Sequence, residues 1–165
     1  MQALVMVAGS ARRFAQISID QNRYLAAGME PSEELDRQIA AVVAFFQSIL
    51  RHEVPPETMV QPGLPVAYYY AVDEYQPIDH LPTFDGPVLV TQGGADFQAL
   101  PDADYTVLEE AFGDDPAYTF RLFDELNHLL MVAQNPEAGM ADYANPGHVD
   151  ENLLAFVAEW ISKLD

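Results

Sequence analysis

Asp96 and His128 are the residues of this chain best suited to act as a chemical pair. Asp96 closes the stretch Pro87-Val88-Leu89-Val90-Thr91-Gln92-Gly93-Gly94-Ala95-Asp96, and His128 closes Phe120-Arg121-Leu122-Phe123-Asp124-Glu125-Leu126-Asn127-His128. Each stretch reads as a strand followed by a short loop. A carboxylate and an imidazole at two successive strand ends make up two thirds of a catalytic triad. The remaining third is missing from the sequence. Serines stand at 10, 18, 32, 48 and 162, and none has glycine both two residues before and two after. Ser10 comes nearest, after Gly9, but its flanks are Ala8 and Arg12; it reads as a turn residue that caps the helix behind it. With no cysteine in the chain, a thiol nucleophile is excluded.

The elements that must carry this pair follow from local pattern. Val88 to Val90 is a short apolar, β-branched run opened by proline and closed soon after by two glycines, as expected of a strand buried on both faces of a parallel sheet. A helix follows, with Asp102 as its expected N-cap and Tyr105, Leu108, Ala111 and Phe112 as its apolar face, and Gly113-Asp114-Asp115-Pro116 ends it. The next strand alternates, Tyr118, Phe120 and Leu122 on one side and Thr119, Arg121 and Phe123 on the other. A strand, helix, strand unit of this length makes a right-handed crossover, so both strands run parallel and both loops open at one edge of the sheet. Sites in open α/β sheets gather at that edge.

The order strand, Gln-Gly-Gly-x-Asp, helix, strand, Asn-His, final amphipathic helix resembles the C-terminal half of an α/β-hydrolase, close to the esterase and peptidase-like members. Val5-Met6-Val7-Ala8-Gly9-Ser10-Ala11-Arg12 resembles the strand after the nucleophile helix of those proteins, and Pro146-Gly147-His148-Val149-Asp150 resembles the approach to their last helix. The resemblance implies an α/β fold of about three parallel strands with flanking helices. It implies a core of residues 1–28 and 81–165 and a helical cap insert at 29–80. It also implies a serine-type hydrolase, most simply of carboxylic esters with peptides as the alternative, whose acid is Asp96 and whose base is His128. No metal or organic cofactor belongs to such a mechanism. The nucleophile elbow and the oxyanion donors would come from residues that this chain lacks.

The segment between the first strand and the strand at Val88, which includes the insert, reads as helical. Phe14, Ile17, Tyr24 and Leu25 recur at near-helical spacing over 12–27. Ser32 is a good N-cap, Glu33 and Glu34 suit the positive helix end, and Leu35, Ile39, Val42, Val43, Phe46, Ile49 and Leu50 trace one apolar stripe. A third, aromatic helix is expected over Leu64 to Tyr75, with Tyr68 and Tyr69, and Asn127 beside the base, as candidates to line a substrate pocket. Three tyrosines in a row cannot all face one way, so at least one of Tyr68, Tyr69 and Tyr70 is expected only to pack. His52 reads as a helix C-terminal cation, His80 as a loop residue, and His148 as part of the turn before the last helix. That helix should bury Leu153, Leu154, Val157, Trp160, Ile161 and Leu164. A site from Asp79, His80 and His148 has no zinc-like spacing.

Composition bounds the partners. The 165 residues carry 26 acids against 7 Lys and Arg, a net charge of −19 that repels nucleic-acid phosphates and anionic membranes alike. Dispersed acids with a single lysine, Lys163, look like the surface of a halophilic protein, one from a salt-loving organism, with an ordinary acidic cytosolic protein as the alternative. The longest apolar stretch, 39–50, is too short to span a bilayer, and Met1 to Ala8 lacks a leading charge and reads as a strand; a cytoplasmic location is the expectation, with a signal peptide on a lost N-terminal half as the alternative. The apolar strand Ala3 to Ala8 should leave one edge unpaired, a place for the N-terminal half of the same enzyme or for an edge-to-edge dimer. Two other readings compete with the hydrolase half: a non-catalytic acidic binding module, and an unrelated small α/β protein of flavodoxin-like shape.

Overall fold

A computed structural model describes residues 2–164. Two compact units emerge, one made of residues 1–11 and 81–165 and the other of residues 12–80. The division falls after Ala11 and not after residue 28, because the first helix packs against the second and third.

The discontinuous unit is built on a three-stranded parallel sheet. Its strands are β1 (Leu4–Val7), β4 (Val88–Gly93) and β5 (Tyr118–Phe123), in the order β1-β4-β5. β1 pairs from Leu4↔Val88 to Val7↔Thr91, and β4 pairs from Val88↔Tyr118 to Gly93↔Phe123. Every residue of β4 is buried, which explains its unbroken Val-Leu-Val start. The strand outlasts that apolar run by three residues, Thr91, Gln92 and Gly93, because their backbones continue the ladder with β5.

The alternation of β5 faces two different helices. On one side Phe120 meets Tyr105 edge-on at 5.7 Å, and Tyr118 stacks on Phe112 at 4.9 Å. On the other side Trp160 Nε1 donates to Thr119 Oγ1 at 3.1 Å, and Phe123 meets Phe156 at 6.0 Å. Those partners lie on or just before α5 (Thr106–Phe112) and on α6 (Glu151–Ser162). α6 begins as expected, with Asp150 accepting from the amides of Asn152 and Leu153. Its buried stripe is narrower than the sequence pattern suggested: Leu153 is buried, but Leu154 and Ile161 are exposed, and Phe156 provides a contact to the sheet. Asp102 does not cap α5. It lies inside a wide turn, Pro101–Tyr105, that precedes a helix shorter than expected. Among the described residues no strand pairs with the outer edges of β1 and β5.

The continuous unit contains α1 (Phe14–Ala27), α2 (Glu33–Leu50), the antiparallel pair β2 (Met59–Gln61) and β3 (Leu64–Pro65), then α3 (Val66–Asp73) and α4 (Pro77–His80). Its core gathers Ala15, Ile19, Phe46, Ile49, Val66 and Tyr69. Ser32 Oγ caps α2 by accepting from Leu35 N at 3.1 Å. The expected helix over Leu64 to Tyr75 is shorter because Leu64 and Pro65 are drawn into the hairpin across Gly63, whose φ of 81° favours glycine. Ser10 does not cap α1: the cap is supplied from α3, where Asp73 Oδ1 accepts from Phe14 N at 2.9 Å while Oδ2 pairs with Arg13 at 2.7 Å. His80 lies in α4 and not in a loop.

Candidate active site

The two loops that follow β4 and β5 are joined by backbone. Gly94 N donates to Phe123 O at 2.8 Å, and Ala95 N donates to Leu126 O at 2.9 Å. The approach is so close that a β-carbon on Gly94 would lie 2.6 Å from the Asp124 backbone, and one on Gly93 would collide with the Leu126 carbonyl. The Gly-Gly pair is therefore a steric condition for bringing the acid loop against the base loop.

Asp96 is 3% exposed and engages both carboxylate oxygens. Oδ1 accepts from the backbone amides of Gln98 at 2.8 Å and Ala99 at 3.0 Å. Oδ2 accepts from Gln92 Nε2 at 2.8 Å and from His128 Nδ1 at 2.8 Å. Because the carboxylate only accepts, Nδ1 carries the imidazole proton. The bond to Asp96 raises the His128 pKa above its ordinary 6.5, against the opposing effect of burial, with Coulombic attraction to the same carboxylate assisting. The imidazole remains partly open, with 32% of its side chain exposed. With Nδ1 committed to Asp96, proton exchange with a reacting group falls to Nε2.

The base loop is shaped by a second buried carboxylate. Asp142, 4% exposed, accepts from Asn135 N at 2.8 Å, Gln134 N at 3.1 Å, Asn145 Nδ2 at 3.2 Å and Asn127 Nδ2 at 3.1 Å. The Asn135 amide leads the donors that hold the Asp142 carboxyl below its usual range. Asn127 Oδ1 in turn accepts from Leu129 N at 3.0 Å and Met131 N at 3.3 Å, bracketing His128 in the chain. Leu130 completes the turn with φ of 59°, a left-handed conformation uncommon for leucine.

Sequence-predicted residues therefore have different fates. Asp96 and His128 are brought together as expected. Asn127 is 2% exposed and bound on both side-chain atoms, so it holds the base loop together. Tyr69 is 3% exposed in the core of the helical unit, beside Phe14 and Phe46, and is a packing residue; Tyr68 is exposed. Tyr70 stacks on His52 and donates to Val54 O. Ser10 donates its hydroxyl to the buried Asp104. A cavity of about 430 Å³ is lined by Asn127, Asp142, Asn145 and His148 among others, and by neither Asp96 nor His128. Among the described residues no group of three or more His, Asp or Glu is placed to hold a metal ion, and no helix is long and apolar enough to cross a membrane.

Gln92 was part of the Gln-Gly-Gly-x-Asp pattern but was given no role from sequence, and Asp142 was not singled out. Gln92 carried a signal, a polar amide two residues past an apolar strand start. Asp142 carried none, being one acid among 26.

By sequence the chain is similar to Esterase EstD of Thermotoga maritima. The two are 29% identical over 160 residues, covering 97% of this chain and 37% of that protein, so the chain spans little more than a third of its relative's length. No family model matches the chain, and no solved structure matches it. That relative is named an esterase, and the architecture of this chain is a parallel sheet flanked by helices.

Proposed function

We propose that this chain carries the acid and the base of a serine α/β-hydrolase that acts on carboxylic esters. The observation that supports this most is the 2.8 Å bond between His128 Nδ1 and a buried Asp96, formed at the carboxyl edge of neighbouring parallel strands. In the proposed reaction Asp96 holds the imidazole tautomer and stabilises the imidazolium. His128 Nε2 takes the proton from a serine hydroxyl as its oxygen attacks the ester carbonyl, then delivers it to the departing alcohol. Water, deprotonated by the same nitrogen, releases the acid and restores the serine. An ester is favoured over a peptide because the relative is named an esterase.

The serine and the oxyanion donors come from polypeptide outside this chain. Among the described residues the serine that follows a strand end, Ser10, donates to Asp104. The unpaired outer edge of β1 supplies backbone donors and acceptors for a further parallel strand of that polypeptide. The test is hydrolysis of a short-chain chromogenic ester by this chain alone, by a form extended with a segment bearing Gly-x-Ser-x-Gly, and by that form with His128→Ala. The reading expects turnover only in the extended form, lost with the substitution. Strong turnover by the 165-residue chain alone, or turnover indifferent to His128, would overturn it.

A further inference from the structure

Gln92 is 1% exposed at the end of the most buried strand, where a polar side chain needs a reason. Its Nε2 makes two short bonds at once, to Asp96 Oδ2 at 2.8 Å and to Ala99 O at 2.7 Å. Both amide hydrogens are thereby used and the group has no freedom to turn. The backbone amides of Gln98 and Ala99 already orient the carboxylate through Oδ1. Gln92 is thus not needed to aim Asp96, and it shares an oxygen with His128 instead. Two donors on one oxygen divide its negative charge, so each is attracted less than it would be alone.

We propose that Gln92 is a positioning residue acting through Asp96: by occupying the second lone pair of Oδ2 it limits the pull of the carboxylate on the imidazolium and leaves a larger share of His128 neutral. The same two bonds pin the Ala99 carbonyl, so the acid loop closes on itself around the carboxylate. An unshared Oδ2 would hold the imidazolium more tightly and leave a smaller neutral fraction of His128 to accept a proton from a hydroxyl. The inference rests on the acid and base roles given above, but its test reads protonation and not turnover, so it can fail while the hydrolase reading stands.

The imidazole of His128 is titrated by NMR in the chain as it exists and in Gln92→Leu. Loss of the shared donor raises the His128 midpoint by about half a unit to one unit, roughly a three- to tenfold smaller neutral fraction at pH values below it. In an Asp96→Asn background the same substitution leaves the midpoint where it was. A midpoint that stays put or falls in Gln92→Leu, or a rise that persists without the carboxylate, overturns the proposal. Should Gln92→Leu not fold, the unsubstituted chain carries the test. The Gln92 side-chain amide protons must shift with the same midpoint as His128, since both bind one oxygen, and amide protons blind to that titration overturn it equally.

Discussion

Replacing Asp96 by asparagine isolates what the carboxylate does. Two of its four bonds survive, because an amide oxygen in the Oδ1 position still accepts from Gln98 N and Ala99 N. At the Oδ2 position an NH2 would then face Gln92 Nε2 and His128 Nδ1, two donors with no acceptor between them. Each unmet buried donor costs about 1–3 kcal/mol. The Gln92 side is fully enclosed and the imidazole partly open, so the His128 share lies at the lower end and the total is about 2–4 kcal/mol. The imidazole responds in a defined direction. The hydrogen bond and the attraction that raise its pKa both come from Asp96, and burial alone remains, so the His128 midpoint falls below 6.5. In an enzyme completed by a serine, the Nδ1–H tautomer loses its partner and kcat drops about 10⁴-fold. NMR titration of His128 with urea unfolding of the same samples measures both effects. A midpoint that stays above 6.5 in Asp96→Asn would refute the reasoning, whatever the change in stability.

Other perturbations have equally definite outcomes. Gly94→Ala, whose β-carbon meets the Asp124 backbone at 2.6 Å, destabilises by about 1–3 kcal/mol and lowers the His128 midpoint, while Gly28→Ala, with 3.6 Å to its nearest atom, changes stability by less than about 0.5 kcal/mol in urea unfolding. The folded His128 pKa is raised, so the stability it contributes is complete below pH 6.5 and disappears as pH rises through the folded value; the urea midpoint of the chain should exceed that of His128→Gln most at mildly acid pH and converge with it in alkali. Asp142→Asn speeds amide hydrogen exchange at Gln134 and Asn135 and broadens the His128 signals, and unchanged exchange would show that the carboxylate does not hold the loop. The net charge of −19 predicts a melting temperature that climbs from low to molar salt, and a flat or falling one would remove the salt-adaptation reading.

The positions of β4 and β5 and the start of α2 were legible because each has a local cause: an apolar run bounded by Pro and Gly, strict alternation, and a serine cap ahead of two glutamates. The meeting of Asp96 and His128 was legible because a right-handed crossover leaves both loops at one edge. What stayed hidden depends on distant partners. Asp73 takes over the cap of α1 from Ser10, and no local pattern announces a cap drawn from a helix some sixty residues on. Asn127 read as a pocket residue because it adjoins the base, yet its duties are set by Asp142 across a loop of irregular backbone. Leu64 and Pro65 join a hairpin although they follow helical spacing, because pairing with Met59 and Gln61 competes with the helix start.

The central claim is that His128, held by Asp96, activates a serine lying outside this chain. Labelling of the serine-bearing extended form with an organophosphonate ester, followed by mass-spectrometric location of the adduct, tests it most directly. The account predicts one adduct, on the serine of the added segment, lost in both His128→Ala and Asp96→Asn. An adduct on Ser10 or any other serine of the 165 residues, or labelling that persists without His128, would contradict it.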